Sequence, residues 1–409
     1  MKIKFWGTRG SISKSNESVL RYGGNTSCVE IRSAANDLLI LDAGTGLHGL
    51  SHQLLKETLP LRTASFLISH THWDHIQGLP FFAPFFNPNH VWNLYGPPTL
   101  TQDLKSILSG QMQKTYFPIT QEIFNAQINY HNLTEGYFNI GDIKVTTHYL
   151  NHPGVTMGYR IEVDGYTIVY STDHEPHDCR LAHGGPVIKG SEDELHAQFL
   201  AGADYVIHDT QYVAAEYERF RGFGHSTMEY VVDLAHQADV HNLILFHHDP
   251  LRSDQEIDQI VDLSRHRILG KPGQMEIWGA SENLPLWVEP RLILPNALHQ
   301  ELVKGKRVKG ERVKGEVFDQ PLHSDQDERR TSVLDDLSLL NEHVLCVSLR
   351  TLQDAIALAN QSVLHAETAA EAYQLKREHH PRLIFIRAQT SEELQEIYDT
   401  LFPSDDESY

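Results

Sequence analysis

An α/β architecture is predicted for residues 1–295, and three observations predict it. Short apolar, β-branched runs recur along the chain, stretches with helical spacing separate them, and four of the runs end in a turn carrying His or Asp. Ligand sites of open α/β sheets lie in the crevice beyond the carboxyl ends of the strands, which is where those turns fall.

In chain order, Ile3 to Trp6, Ser27 to Ile31 and Leu38 to Leu41 read as strands separated by polar turns. The turn Arg21-Tyr22-Gly23-Gly24-Asn25-Thr26 is a candidate to reach a substrate. Asp42-Ala43-Gly44-Thr45-Gly46 then opens a helical stretch from Leu47 to Leu55. Asp42 has two readings, a cap on that helix or a hydrogen-bonding support for the loop after the next strand. Gly44 and Gly46 alone are weak evidence for a phosphate cradle. The strand Ala64 to Ile68 ends in His70-Thr71-His72-Trp73-Asp74-His75. Ile143 to Leu150 ends at Asn151-His152, Tyr166 to Tyr170 at Ser171-Thr172-Asp173-His174, and Asn242 to Phe246 at His247-His248-Asp249.

Each later turn has a plain structural explanation when taken singly: a turn histidine, a helix-capping aspartate or a satisfied core histidine. Together they supply the imidazole and carboxylate donors that suit zinc and its borderline neighbours. Six residues are too few for one ion to use all four donors of the first turn. A split is expected, with His70 and His72 on one ion and Asp74 and His75 on a second. Five His and two Asp then suffice for two ions, Asp173 being short enough to bridge them.

His70, His72, Asp74 and His75 match at every position the HxHxDH motif of the metallo-β-lactamase superfamily, which the chain resembles. It is more similar to the ribonuclease Z and phosphodiesterase branch than to the lactamases. Leu94-Tyr95-Gly96-Pro97-Pro98 resembles a ribonuclease Z segment, and Val206-Ile207-His208-Asp209-Thr210 resembles the HEAT motif with Asp209 in the glutamate position. Gly224-His225-Ser226-Thr227 matches the HST motif. The resemblance covers about residues 1–290 and implies a metallo-β-lactamase-type αββα sandwich.

It also implies roles. His70, His72 and His152 are expected on the first ion, Asp74, His75 and His247 on the second, with Asp173 bridging. Leu243 through His247 matches the strand that delivers the last ligand, which favours His247 over His248. Asp74 would also orient the nucleophile or accept its proton. His225 would protonate the leaving group, with Asp209 orienting its imidazole. Ser226-Thr227-Met228-Glu229 also reads as a capping box for a helix starting near Thr227, which accounts for Ser226 and Glu229 but not for His225. The expected cofactors are two divalent metal ions, zinc first, with manganese or iron accepted by the same ligands. Two such ions, roughly 3.5–4 Å apart, bring the pKa of a bridging water to about 7 and offset phosphoryl charge.

The expected activity is therefore hydrolysis of a cyclic nucleotide or another small anionic phosphodiester. The alternative is ribonuclease Z-like tRNA 3′ processing, with RNA as the partner. Thr99 to Thr147 shows no glycine- and proline-rich arm of the kind that holds tRNA. The formal net charge of −20, from 34 basic and 54 acidic residues, also disfavours binding driven by phosphate attraction. It does not oppose a small anion, because two divalent cations invert the local field. The HEAT- and HST-like segments count against a thioester or lactam hydrolase, and the intact ligand set against a catalytically silent scaffold.

Cys28, Cys179 and Cys346 are odd in number and far apart, and Met1 to Trp6 lacks a signal-peptide-like apolar run, so a reduced cytoplasmic protein is expected. No apolar segment approaches the roughly 20 residues that span a bilayer, so no membrane association is expected. Residues 296–341 read as a flexible charged linker. It contains the repeat Val303-Lys304-Gly305, Val308-Lys309-Gly310, Val313-Lys314-Gly315, and six basic against three acidic residues from Glu301 to Glu316. Residues 342–403 read as a small, weakly receiver-like α/β module, with strands at His343 to Val347 and Leu383 to Ile386 and helices at Leu352 to Ala359, Glu367 to Arg377 and Thr390 to Leu401. It lacks a phospho-acceptor aspartate and suits docking or homodimer formation.

Overall fold

A computed structural model describes residues 1–57, 63–282 and 285–288, and the backbones of three later strands. By its contacts the chain divides into two units, Met1–Gly305 and Lys306–Tyr409.

In the first unit, β1 (Lys2–Gly7), β2 (Cys28–Arg32), β3 (Leu38–Leu41), β4 (Thr63–Leu67), β5 (Val91–Gly96) and β6 (Gln127–Asn132) build one sheet. The chain then crosses to a second sheet of β7 (Gly136–Ile140), β8 (Ile143–Leu150), β9 (Thr156–Val163), β10 (Tyr166–Ser171), β11 (Tyr205–Asp209), β12 (Asn242–Phe246) and β13 (Glu276–Gly279). The short β14 (Leu286–Trp287) returns to pair antiparallel with β1. Each sheet opens with antiparallel pairs and ends with parallel ones, β3 to β6 in the first and β10 to β13 in the second. The parallel runs align their carboxyl ends, so their turns collect at one edge.

Alternation along the strands explains the layers, because successive side chains point to opposite faces. Leu39 and Leu41 of β3 and Ile244 and Phe246 of β12 enter a core shared by the two sheets, with Ile3, Val29, Tyr159 and Tyr170. Leu38 and Ile40 turn outward against α1 (Leu47–Leu54) and the Phe82, Phe85 and Trp92 rings. Leu243 and Leu245 turn outward beneath α6 (Met228–Gln237) and α7 (Asp254–Ile268). The result is the expected αββα sandwich. Among the described residues no helix is long and apolar enough to cross a membrane.

The second unit shows three parallel strands, Leu345–Ser348, Leu364–Ala366 and Ile384–Ala388, with the last between the other two. The first and last lie on the two expected strand segments, and the middle one falls in a region that apolar patterning did not mark. The linker, its basic repeat and the expected helices lie outside the described residues. A chain ended near Pro295 is expected to bind metal ions as the full chain does, because every proposed ligand precedes residue 250. Calorimetric titration of the two proteins checks this, and loss of an ion in a shortened but folded chain would mean that the later residues complete the site.

Candidate metal centre

The expected ligands arrive from four strand ends. β4 delivers His70 and His72, with Asp74 and His75 on the one-turn helix α2 (Trp73–Ile76). β8, β10 and β12 deliver His152, Asp173 and His247. The structure brings these seven residues into two groups that share Asp173: His70, His72 and His152 on one side, Asp74, His75 and His247 on the other. Asp173 Oδ2 lies 3.5 Å from His70 Nε2 and 3.6 Å from His152 Nε2, and its Oδ1 lies 3.3 Å from His75 Nε2 and 3.2 Å from His247 Nε2. His72 Nδ1 is 2.9 Å from His70 Nε2 and 3.0 Å from His152 Nε2.

The opposite ring nitrogens decide which atoms face inward. Asp42 Oδ2 takes the Nδ1 proton of His75 at 2.8 Å, Gln211 Oε1 that of His247 at 3.0 Å, and the Gly224 carbonyl that of His152 at 2.9 Å. Ser69 Oγ donates to Asp42 Oδ2, which leaves its lone pairs for His70 Nδ1 at 3.1 Å. In the neutral form that a ligand requires, the tautomers so fixed turn each Nε2 lone pair to the interior. Nitrogen and carboxylate lone pairs then converge across 2.9 to 3.6 Å, which is repulsive alone and attractive around a cation. His75 Nε2 makes no hydrogen bond although buried, with Asp74 and Asp173 oxygens 3.2 and 3.3 Å away. The donor set fits metal ions.

Electrostatics agrees. Burial, followed for His70 by its neighbouring imidazoles, lowers the pKa of His70, His72 and His152, leaving them neutral as ligands require. Burial would lower that of His75 too, but Asp74, Asp173 and Asp42 outweigh it and raise it well above its ordinary value. An ion entering beside His75 must displace that proton, so uptake releases protons and weakens in acid. Burial opposes ionisation of Asp74 and Asp173, and the imidazoles around them overcome it, holding both well below the carboxylate range.

Backbone conformation aims these groups. Asp42, Asp173 and His247 follow the ends of β3, β10 and β12 in the left-handed region, with φ of 55, 54 and 57°. Such conformations cost free energy and persist where the surroundings hold them. Ser11, at φ 61°, donates its N–H to Asp74 Oδ2 at 2.7 Å.

His225 stands beside the ligands. Its ring lies 5.3 Å from that of His152 and stacks 5.0 Å from that of His247. Its Nδ1 is 3.0 Å from Asp209 Oδ2, which also accepts from Ser226 N and His174 N. Burial alone would depress the imidazole; Asp209, then Asp173 and Asp74, reverse this and raise its pKa to about 9.

Several sequence expectations need correction. Asp42 is a support for the metal loop rather than a cap: it accepts from Ser69 N and Oγ and Tyr170 OH, while α1 has no side-chain cap. The capping box is not formed as expected. Thr227 caps α6 through Tyr230 N, Ser226 Oγ donates to the His174 carbonyl, and Glu229 accepts from Ala214 N. Gly44 serves close packing, since a Cβ there would come 2.2 Å from the Asp74 carbonyl oxygen. The side chains of the Arg21 to Thr26 turn are engaged elsewhere, Arg21 and Tyr22 with Asp258, Asn25 with Glu282 and Thr26 with Thr45. His248, which the sequence sets aside in favour of His247, needs no correction: it bonds the Ala280 carbonyl and stays outside both donor groups. Sequence reasoning missed Gln211, Tyr170 and Glu175, whose partners at the site lie 36, 128 and 47 positions away, and Ser69, which joins Asp42 across 27 positions to the adjacent His70.

A two-sheet sandwich with a His and Asp cluster at its strand ends defines a class of α/β metal-site protein. Residues 38–248, more than half of the chain, match the beta-lactamase superfamily domain, and the chain belongs to that superfamily as a metallo-β-lactamase-fold hydrolase. Ribonuclease Z of Staphylococcus haemolyticus is 24% identical over 285 residues, spanning 60% of this chain and 88% of that protein. The metallo-β-lactamase fold protein YhfI from Bacillus subtilis superposes with a TM-score of 0.51 at 17% identity, covering 70% of this chain and 98% of that one. Zn(2+)-bound PqqB from Methylobacterium extorquens gives 0.51 at 15% identity, covering 70% and 100%.

Proposed function

We propose that this chain is a dinuclear metal-dependent phosphodiesterase acting on a cyclic nucleotide or another small phosphodiester. The observation that carries the reading is the pair of donor groups joined by Asp173, with the His225–Asp209 couple beside them. Five imidazoles and two carboxylates suit zinc first and accept manganese or iron. Two divalent cations there supply Lewis acidity toward phosphoryl oxygens and make water a nucleophile at neutral pH.

The chain's own groups do the rest. Asp74, anchored by Ser11 N, orients the nucleophile or accepts its proton. His225, kept protonated by Asp209, gives a proton to the departing alkoxide. A thioester does not need so strongly supported an acid, because its thiolate leaving group is stable. Trp73 lies between His72 and Asp74 and is 75% exposed, a flat face suited to a nucleobase.

Trp73→Ala is expected to lower kcat/KM for a nucleotide diester about 10-fold, within the usual scale of base stacking. Metal content should not change. Steady-state kinetics checks this, and an unaltered kcat/KM would remove Trp73 from substrate binding.

The deciding experiment is turnover of bis-p-nitrophenyl phosphate, cyclic nucleotides, a thioester and precursor tRNA by the metal-loaded protein. Small-diester hydrolysis without tRNA cleavage is expected. The second reading, tRNA 3′ processing, is favoured by the ribonuclease Z relative. Cleavage of precursor tRNA with no small-diester turnover would establish it instead.

A further inference from the structure

We infer that Glu175 is a positioning residue that fixes the outer wall of the first ion site and the seat of His225, an inference that rests on the metal-dependent reading above. Glu175 lies two residues beyond Asp173 and is 7% exposed. Its Oε1 accepts from Tyr217 OH at 2.6 Å and Gly222 N at 2.9 Å, and its Oε2 accepts from Gly222 N at 3.0 Å and Gly224 N at 2.8 Å. Charge-assisted bonds to backbone N–H groups are strong and directional, so the carboxylate sets the path of the Gly222 to Gly224 turn.

That turn has two outputs. The Gly224 carbonyl receives the Nδ1 proton of His152, which leaves His152 Nε2 to face Asp173. His225 follows immediately and points its Nδ1 at Asp209. The fit leaves no slack: Gly224 has φ 86°, and a Cβ there would meet His152 Nδ1 at 2.1 Å. Glu175 also grips the base of the His152 turn, since its N–H donates to the Asn151 carbonyl at 2.8 Å and its own carbonyl accepts from Asn151 Nδ2 at 2.9 Å. One residue thus joins the bridging-ligand turn, the His152 turn and the His225 turn.

The second donor group is supported separately. Asp74 is held by Ser11 N, His75 by Asp42 and His247 by Gln211. Glu175 should therefore act on one ion of the two, a selectivity that a general contribution to stability would not produce.

The test is a calorimetric zinc titration of the metal-free full chain, wild type against Glu175→Gln. The glutamine is isosteric but uncharged, and whichever way it turns, its NH2 faces a donor that the carboxylate accepted. One ion should bind about 10- to 100-fold more weakly, the usual cost of losing support behind a ligand, and the other as in wild type. The selective loss should be matched by a larger rate penalty on poor leaving groups than on p-nitrophenolate esters. Tyr217→Phe, which removes one donor and keeps the glycine contacts, should weaken the same ion a few-fold. Two ions bound with wild-type affinity, or both weakened equally, would overturn the inference, as would an unaltered Tyr217→Phe if Glu175→Gln failed to fold. Failure of the wild type itself to bind two ions or turn over a diester would count against the functional reading instead.

Discussion

Asp173→Ala is expected to lose both ions and all measurable diesterase activity, the largest effect of any single substitution in this chain. Each oxygen of Asp173 faces one donor group, at 3.5 and 3.6 Å on one side and 3.2 and 3.3 Å on the other. Removing it takes a donor from both ions and the negative charge that separates them. Asp74→Ala should be milder for metal and as severe for rate. The first ion keeps His70, His72, His152 and Asp173, while the nucleophile loses the carboxylate that Ser11 N holds in place. Elemental analysis beside circular dichroism and bis-p-nitrophenyl phosphate turnover checks both. A folded Asp173→Ala protein that still held two ions would show that another group bridges them. A wild type that contained no transition metal, and gained no activity when one was added, would sink the mechanism as a whole.

Much of this centre is legible in the sequence because its donors sit at strand ends, and strand ends are locally encoded. β8 and β12 have the predicted bounds, since Ile143 to Leu150 and Asn242 to Phe246 carry clean apolar patterns. β6 and β7 do not stand out, because Gln127 to Asn132 is polar and half-buried, and so gives no alternation to read. The supports are hidden for a different reason. Tyr170 reaches Asp42 across 128 positions and Glu175 reaches Gly222 across 47, distances over which periodicity carries no information. Asp42 is visible in the sequence but reads there equally as cap and as support; its positive φ and its bonds to Ser69 and His75 make it the support. The capping motif slipped by one residue because Ser226 Oγ finds a buried acceptor in the His174 carbonyl, and Thr227 then takes the cap.

His225→Ala should lower kcat by roughly 10²–10⁴ on a cyclic nucleotide, the usual scale of general acid catalysis, with metal content unchanged. The loss should shrink on p-nitrophenyl esters, whose leaving group departs without a proton. The pH dependence has a definite sign. A general acid works only while protonated, so the rate on poor leaving groups falls as pH rises through the pKa of His225. Burial lowers that pKa, and Asp209, followed by Asp173 and Asp74, raises it to about 9. Ions bound at Asp173 and Asp74 offset the contribution of those two carboxylates, but Asp209, at 3.0 Å, lies in neither of the two groups that share Asp173 and clusters instead with His225 and His247. Asp209→Asn should therefore shift the alkaline limb of the kcat profile toward acid while leaving both ions bound. Asparagine retains an acceptor for the Nδ1 proton, which separates the effect of charge from that of orientation. Equal losses on good and poor leaving groups in His225→Ala, or an alkaline limb unmoved in Asp209→Asn, would reassign His225 to holding the start of α6 beside the ion site.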